Sequence, residues 1–523
     1  MNKIKFITNK KVLSVTTALL LTFSGCKVEE DPYSLYTPES FYTSETQVLS
    51  SLSGVYRNFA GLTGMGAEYR IMELPADQVV VHAKIQGWWG GPDWEQLMEH
   101  KWDANHPYFN GSWNSFFATV GQVNALTASL DAAGLDNVKG PKAELRTLRA
   151  YAYFYLLDLF GNVPIFTLPK VDPKNLPNQN TKAEVFNFIV KEIIEAAADL
   201  PSEKVVGNEY YGRFTKEAAY ALLATVYLNA QVYTGSPQHD KTIEYADLVI
   251  NSGEYNLLPN YFDNFKPDNA ANKEMIFGAV YTPEIAGGLG QPLVQKVLPG
   301  INGGLFGLPY TPQNGFATRE AIYNAYENQD MRKNMFLPHG PMKDPRNGEV
   351  VMVERIVADN NSNLFKPGVS TVGPVPYVII PATGIRSQPM NAGIKWIKWG
   401  LDSKTIGGNA GNDIAFIRYA DVLLMKAEAL QRKNASGALA IVNLIRARSK
   451  ASSLGSVNLD DILAERGREL AFEMTRRRDL IRFGKFQDAW EFKAASESFR
   501  SLYPIPQAAI NANPKLKQNT GYF

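Results

Sequence analysis

The sequence predicts a mainly α-helical protein with a loop-rich region that contains little β-structure. Several segments repeat apolar residues at helical spacing, and small alanines alternate there with large Tyr and Leu side chains. The pattern changes over residues 281–411, where Gly and Pro are dense and helical stripes are few. We therefore expect helices to form the frame and the middle region to form ordered loops.

Three helices are predicted most clearly, and Gly161 is expected to end the first of them. Their apolar stripes are Leu145, Leu148, Ala152, Tyr155, Leu156 and Leu159, then Ala219, Leu222, Leu223, Val226, Tyr227 and Ala230, and then Ala420, Leu423, Leu424, Ala427 and Leu430. A fourth helical segment follows a break at Asn434. Such helices can pair closely and resemble tetratricopeptide hairpins, although their spacing is too irregular for a clean array of about 34-residue repeats.

The composition excludes several functional classes. The 523 residues carry 53 Lys and Arg against 52 Asp and Glu, so the excess positive charge that nucleic-acid binding needs is missing. A single cysteine excludes an intramolecular disulfide framework and a metal site built from several thiolates. The five histidines show no metal-ligand spacing, and no phosphate-binding loop or nucleophile elbow is present. The sequence thus predicts no cofactor and no metal site.

The N-terminus has the pattern of a bacterial lipoprotein signal. Residues 1–11 carry four lysines and no acid, and a short apolar run follows that ends in "LTFSGCK". Residues 1–25 are thus predicted to be a signal peptide, and Cys26 is the predicted lipidation site. Residues 26–40 are polar and acidic with two prolines, which is typical of a solvated tether. A buried free cysteine is the alternative, which the position of Cys26 disfavours.

Ordered blocks along the chain resemble the SusD/RagB family of outer-membrane lipoproteins. The blocks are "ELRTLRAYAYFYLLDLFGNVPIF", "GRFTKEAAYALLATVYLNA", "FIRYADVLLMKAEALQ", "ERGRELAFEMTRRRDLIRFGKF" and the closing "LYPIPQAAINANPKLKQNTGY". The resemblance covers nearly all of the chain after the predicted signal peptide. It implies a SusD-like fold, with an N-terminal helical region over 41–280 and a C-terminal region over 281–523 that includes the insertion 281–411.

The resemblance also implies a function. Family members are non-catalytic surface proteins that capture oligosaccharides or polysaccharides, or peptides in the RagB branch. They deliver these ligands to SusC-like TonB-dependent transporters, so such a transporter is the implied partner. The implied location is the outer membrane, with a lipid anchor and the protein facing the cell exterior, as the acidic stretch after Cys26 also suggests.

Residues 74–106 give the sharpest signal for a ligand site. They contain four of the eight tryptophans, and Gly and Pro interrupt any regular helix or strand there. Flat aromatic faces suit the C–H faces of sugar rings, and polar neighbours can bind the hydroxyls. The candidates in this segment are Asp77, His82, Trp88, Trp89, Trp94 and Trp102. The resemblance places further contacts in the middle region, with Phe306, Tyr310 and Phe316 as candidates.

Other interpretations stay open at this point. Some of these tryptophans could instead fill the gap between loop and helices. A surface glycoside hydrolase could use Asp77 with Asp93 or Glu95, and a helical-repeat adaptor would bind only proteins. The charged run "ERGRELAFEMTRRRDL" is expected to form helix-surface or packed ion pairs, with a phosphate site as the alternative. Trp113, Trp396 and Trp399 are predicted to pack in the core.

Overall fold

The computed structural model describes most of the chain after the predicted tether. It covers residues 42, 44–61, 67–85, 91–270, 272–281, 293–300, 302–344, 346–356, 371–405 and 409–522. The predictions for the signal peptide 1–25, for Cys26 and for the tether 26–40 lie outside these residues, as do Trp88 and Trp89.

Helices dominate the described residues, which confirms the predicted mainly α fold. The N-terminal helices are α1 (Glu45–Gly61), α2 (Ala67–Glu73), α3 (Pro92–Glu99), α4 (Pro107–Ala133), α5 (Lys139–Phe160), α6 (Lys182–Ala197), α7 (Lys216–Leu228), α8 (Ala230–Thr234) and α9 (His239–Ser252). The middle and C-terminal helices are α10 (Leu293–Val297), α11 (Asn302–Leu305), α12 (Glu320–Asn324), α13 (Tyr419–Arg432), α14 (Ala438–Arg448), α15 (Leu459–Glu469), α16 (Arg476–Arg482) and α17 (Gln507–Ala512).

The long helices pack side by side as pairs. Helix α4 packs on α5, α5 on α6, α7 on α9, and α9 on α13. The predicted stripes of α5 and α7 are buried throughout, because both helices have neighbours on several sides. Gly161 ends α5 at a φ of 75°, as predicted, and its N–H donates to the Leu157 carbonyl. Asn434, where the helical pattern breaks, has a φ of 53°, and asparagine tolerates this conformation better than most residues do.

The strands are short and come in antiparallel pairs. They are β1 (Val79–Val81), β2 (Val163–Pro164), β3 (Gln179–Asn180), β4 (Met275–Ala279), β5 (Phe316–Thr318), β6 (Phe336–Leu337), β7 (Gly340–Pro341), β8 (Met352–Ile356), β9 (Thr371–Pro376), β10 (Val378–Ile379), β11 (Lys395–Trp396) and β12 (Ile414–Arg418). Among the described residues the pairs are β1 with β5, β2 with β3, β4 with β12, β6 with β11, β7 with β10, and β8 with β9. The predicted minor β-structure therefore lies mainly in the irregular middle region.

Buried ion pairs hold the C-terminal blocks in place. Arg466 reaches Asp421 at 2.9 Å and Asp479 at 2.8 Å, and Arg332 reaches Glu465 at 2.7 Å and Glu469 at 2.9 Å. All of these side chains are buried, so the predicted ion pairs are packed rather than exposed. Their charges are compensated inside the protein, which explains why arginines can be buried here.

The three tryptophans that were predicted to pack are indeed buried. Trp113, Trp396 and Trp399 all belong to the hydrophobic core, and the Trp396 ring stacks on Phe472 with centroids 4.2 Å apart. Within the described part of the chain, no helix combines the length and the apolar character needed to cross a membrane.

Candidate functional site

Described elements flank the tryptophan-bearing segment, residues 86–90. Strand β1, which precedes this segment, pairs with β5 through the register Val79↔Thr318 to Val81↔Phe316. The chain then runs along the segment 385–388, where the N–H of Ile85 donates to the Gln388 carbonyl at 2.9 Å. Gly91 resumes the described chain at a φ of 81°, immediately before α3. Both flanks of the segment therefore belong to described elements, while residues 86–90, with Trp88 and Trp89, lie outside the described residues.

Trp94 is a core residue, contrary to our prediction that it contacts a ligand. Its ring is 3% exposed and stacks on Phe316 with centroids 5.4 Å apart and an angle of 21°. The Arg70 guanidinium lies 5.0 Å from its ring centroid, and its indole N–H donates to the Tyr108 hydroxyl at 2.6 Å. Phe316 is itself completely buried in β5, so the prediction of a ligand contact is corrected for both rings.

Trp102 is also buried, and only 2% of it is exposed. Its indole N–H donates to the Tyr522 hydroxyl at 2.7 Å, and its ring packs against Tyr503 with centroids 5.1 Å apart. The predicted ligand contact is therefore wrong for Trp102, because residues from the C-terminal end of the chain cover it. Phe306 is buried as well, with the Arg346 guanidinium 5.2 Å from its centroid. The predicted ligand contact is therefore wrong for Phe306 as well.

Tyr310 differs from these rings because it is only partly buried. Burial, together with the charge of Asp402, raises the pKa of Tyr310 to about 12, so its hydroxyl stays protonated at neutral pH. Among the aromatic candidates in the described middle region, it is the one that keeps an accessible part. Contact between Tyr310 and a ligand stays a prediction.

His82 packs inside the protein and is removed from the candidate site. Its Nδ1 lies 2.8 Å from the Gly384 carbonyl, and its ring packs against Phe492. Burial and the nearby cations of Lys84 and Lys395 lower the pKa of His82 to about 3, so the imidazole is neutral at physiological pH. Its role is to pack β1 against the segment around Gly384.

Asp77 holds a structural ion pair. Its two carboxylate oxygens each accept a hydrogen bond of 2.8 Å from Arg476. Burial alone would raise the pKa of Asp77, but the Arg476 guanidinium outweighs it, and the pKa is lowered. Glu95 is similarly occupied, since it accepts a 2.8 Å bond from the Nε of Arg386. Both carboxylates are therefore held in ion pairs with arginines, whereas a glycosidase acid needs a carboxyl group with a raised pKa that can give its proton to the substrate.

Sequence reasoning missed a group of hydrogen-bond donors near Trp94. We call Arg70, Tyr108 and Lys296 the donor cluster: the Arg70 guanidinium lies 4.8 Å from the Tyr108 centroid, and Lys296 is close enough for the Arg70 charge to act on it. The Lys296 Nζ also donates to the Gln313 side chain. All three are half-buried, which leaves part of each accessible. Burial and the Arg70 cation lower the pKa of Lys296. No motif marks these residues, because α2, α4 and α10 bring them together from distant parts of the chain.

Arg386 adds an exposed cation on the segment 385–388, which pairs with residues 83–85. Its side chain is 69% exposed although it pairs with Glu95. In the described residues, no group of three or more His, Cys, Asp or Glu side chains could hold a metal ion. Arg70, Tyr108 and Arg386 can donate hydrogen bonds to hydroxyl or acidic groups.

Comparisons with known proteins agree with the sequence blocks. A family model described as the SusD family matches residues 381–522, and one described as "Starch-binding associating with outer membrane" matches residues 32–228. The starch-binding protein SusD of Bacteroides thetaiotaomicron is 26% identical over 489 residues, which cover 86% of this chain and 84% of that protein.

Solved structures share the fold. A SusD superfamily protein from Parabacteroides distasonis superposes with a TM-score of 0.73 at 21% identity, covering 92% of this chain and 100% of that one. The surface glycan-binding protein A from Bacteroides thetaiotaomicron, in complex with laminarihexaose, superposes with a TM-score of 0.71 at 22% identity. That match covers 91% of this chain and 100% of the other.

Proposed function

Since the chain belongs to the SusD/RagB family, we propose that it is a cell-surface lipoprotein that captures an oligosaccharide or polysaccharide without cutting it. One observation carries the proposal: the segment with Trp88 and Trp89 leads into α3, whose Trp94 contacts Arg70 and Tyr108 of the partly exposed donor cluster. The names of relatives that bind starch or laminarihexaose support the same class of ligand.

Capture combines stacking with hydrogen bonding. The indoles of Trp88 and Trp89 stack on the C–H faces of sugar rings, while the donor cluster binds hydroxyl groups nearby. Tyr310 supplies a further aromatic contact from the middle region. Because single stacking contacts are modest, we expect a dissociation constant between micromolar and millimolar, which corresponds to about −8 to −4 kcal/mol.

The captured ligand then passes to a SusC-like TonB-dependent transporter in the outer membrane. Weak binding favours this transfer, because a tightly held glycan would leave too slowly. The predicted signal peptide and Cys26 support a tethered position on the cell exterior. Capture of a peptide is the alternative within the family.

The site prediction is tested by the double substitution Trp88→Ala/Trp89→Ala. Loss of both stacking surfaces is expected to weaken binding of laminarihexaose or maltohexaose at least about tenfold, since each contact is worth about 1–3 kcal/mol by analogy with base stacking. Isothermal titration calorimetry measures this change, and the melting temperature checks the fold. Ile85→Ala is the matched control, because Ile85 is exposed beside the same loop and has no ring. Unchanged affinity in the double variant would place the site elsewhere.

The hydrolase alternative has its own test. Purified protein incubated with a panel of polysaccharides is expected to release no new reducing ends, because Asp77 and Glu95 are held by Arg476 and Arg386. Sustained release that Asp77→Ala abolishes would overturn the binding proposal. Binding of a peptide mixture, with no binding to any glycan, would favour the RagB-like function instead.

Lipid anchoring is tested with Cys26→Ala in cells. Several acyl chains on Cys26 would hold the protein firmly on the membrane, at about 0.8 kcal/mol per buried methylene. The substitution is therefore expected to move the protein from the membrane fraction to the soluble fraction, as measured by cell fractionation and immunoblotting. Ser24→Ala serves as the control, since it keeps a small residue before the cysteine. Retention of Cys26→Ala in the membrane would contradict lipidation.

A further inference from the structure

A cleft lies where the N-terminal half of α4 meets β2 and α17. It has a volume of about 320 Å³, within the size range of small-ligand sites. The residues that matter for its chemistry are Asn110, Trp113, Asn114, Phe117, Phe166 and Ala512. None of the residues that line it carries a charge, so the cleft suits a neutral ligand.

Aromatic rings form one wall of this cleft. Phe117 and Phe166 are nearly parallel, at an angle of 14° with centroids 5.8 Å apart, and both are half-buried. Trp113 lies 4.8 Å from Phe117 and is only 6% exposed, because its ring packs edge-on against Phe160. The wall is therefore fixed by the core, so binding costs little side-chain entropy.

Amide groups stand at the edge of the same cleft. Asn110 and Asn114 are one turn apart on α4 and hence share a face. Within the described residues, neither side-chain amide has a hydrogen-bond partner, whereas the Asn513 amide donates to the Pro177 carbonyl at 2.9 Å. The aromatic rings suit the C–H groups of a sugar ring. The two amides, whose donors and acceptors are unused, suit its hydroxyl groups.

The cleft is separate from the donor cluster. Tyr108 points toward Trp94 and Arg70, on the side of α4 that faces α3 and α2. At about 100° per residue, positions 110, 113, 114 and 117 lie on the opposite side of the helix. One ligand residue could therefore not occupy both places, and the cleft must act on its own.

We propose that this cleft is a second carbohydrate-binding site, which takes one pyranose unit of a neutral polysaccharide. The inference rests on the proposed function and adds to it a second contact for the same polymer. A long chain that engages both sites gains affinity from the linkage between them, whereas a short oligosaccharide engages one site at a time. The cleft therefore raises retention of polymers more than retention of hexasaccharides.

Two variants test the cleft without disturbing its buried wall. Ala512→Arg places a long side chain in the cleft from an exposed position on α17, and Asn110→Ala/Asn114→Ala removes both amides. Ala125→Arg is the matched control, because Ala125 is exposed on α4 outside the cleft. Melting temperatures check the fold of each variant. The probes are laminarin and amylopectin as polymers, with laminarihexaose and maltohexaose as short ligands.

We expect both cleft variants to bind the preferred polymer about three- to tenfold more weakly in affinity electrophoresis, with Ala125→Arg unchanged. In the Trp88→Ala/Trp89→Ala background, residual binding of the hexasaccharide is expected to vanish when Ala512→Arg is added. If the cleft variants bind as the wild type does while the tryptophan variant loses affinity, the second site is refuted and the proposed function stands. If the wild-type protein binds no glycan, or the cleft variants lose only peptide binding, the inference fails.

Discussion

Glu73 shows how one buried carboxyl group can make stability depend on pH. The side chain is fully buried at the end of α2, and its Oε1 accepts a hydrogen bond from the backbone N–H of Met474. Burial raises the pKa of Glu73 to about 8, although the Met474 hydrogen bond and Lys398 oppose the rise. Between pH 4.5 and 8 the native state thus binds more protons than the unfolded state, so stability falls as the pH rises through this window.

Glu73→Gln is therefore expected to stabilise the protein at high pH and to have little effect at low pH. An amide needs no proton to stay neutral, so the gain in the free energy of unfolding should grow from near zero at pH 4.5 to about 3 kcal/mol at pH 7. Urea denaturation at several pH values measures it. Glu209→Gln, at an exposed position, should show no such trend. An equal effect of Glu73→Gln at every pH would contradict the buried neutral carboxyl.

At the scale of single elements, α6 has a complete capping box. The Thr181 hydroxyl accepts from the N–H of Glu184 at 3.3 Å, and the Glu184 carboxylate accepts from the N–H of Thr181 at 2.7 Å. Two backbone donors at the start of the helix are thereby satisfied. Thr181→Ala is expected to lower the free energy of unfolding by about 1 kcal/mol, whereas Thr181→Ser should keep most of it. Urea denaturation distinguishes the two, and equal losses would show that the cap is not the cause.

Helix α3 explains why part of the site was predicted wrongly. Gly91 and Pro92 were interpreted as helix breakers, but Gly91 is the N-cap and Pro92 occupies the first turn, where proline is favoured. Trp94 therefore faces the core from a short helix. The long stripes of α5 and α7 were predictable because many residues repeat one period, while eight residues give too little periodicity to show which side is buried.

Long-range contacts account for most of the remaining errors. Trp102 is covered by Tyr503 and Tyr522, which lie about four hundred positions later in the chain, and local sequence contains no sign of that contact. The donor cluster is likewise assembled from α2, α4 and α10. Within residues 74–106, sequence reasoning could therefore not show that Trp94 and Trp102 are buried. A ligand site at Trp88 and Trp89 stays a prediction.

For the molecule as a whole, buried ion pairs join segments that are far apart in sequence. Arg418 at the end of β12 reaches Glu274, Glu469 and Glu473, each at 2.7 Å, and all four side chains are buried. Glu274 directly precedes β4, which pairs with β12, and Glu469 ends α15. The Arg418 guanidinium therefore joins the β4–β12 pair, which flanks the middle region, to the C-terminal helix α15. Desolvation of these charges is costly, so the arrangement depends on every partner being present.

Removing this guanidinium should consequently destabilise the whole fold. In Arg418→Met three carboxylates lose a buried partner, and we expect the free energy of unfolding to fall by about 3–5 kcal/mol. Lys433→Met removes the exposed ion pair with Asp240 and should change stability by less than about 1 kcal/mol. Adding Glu473→Gln to Arg418→Met should cost less than the sum of the two single changes, because the first loss already leaves Glu473 poorly compensated. Additive losses in guanidinium chloride denaturation would show that the pairs act independently rather than as one network.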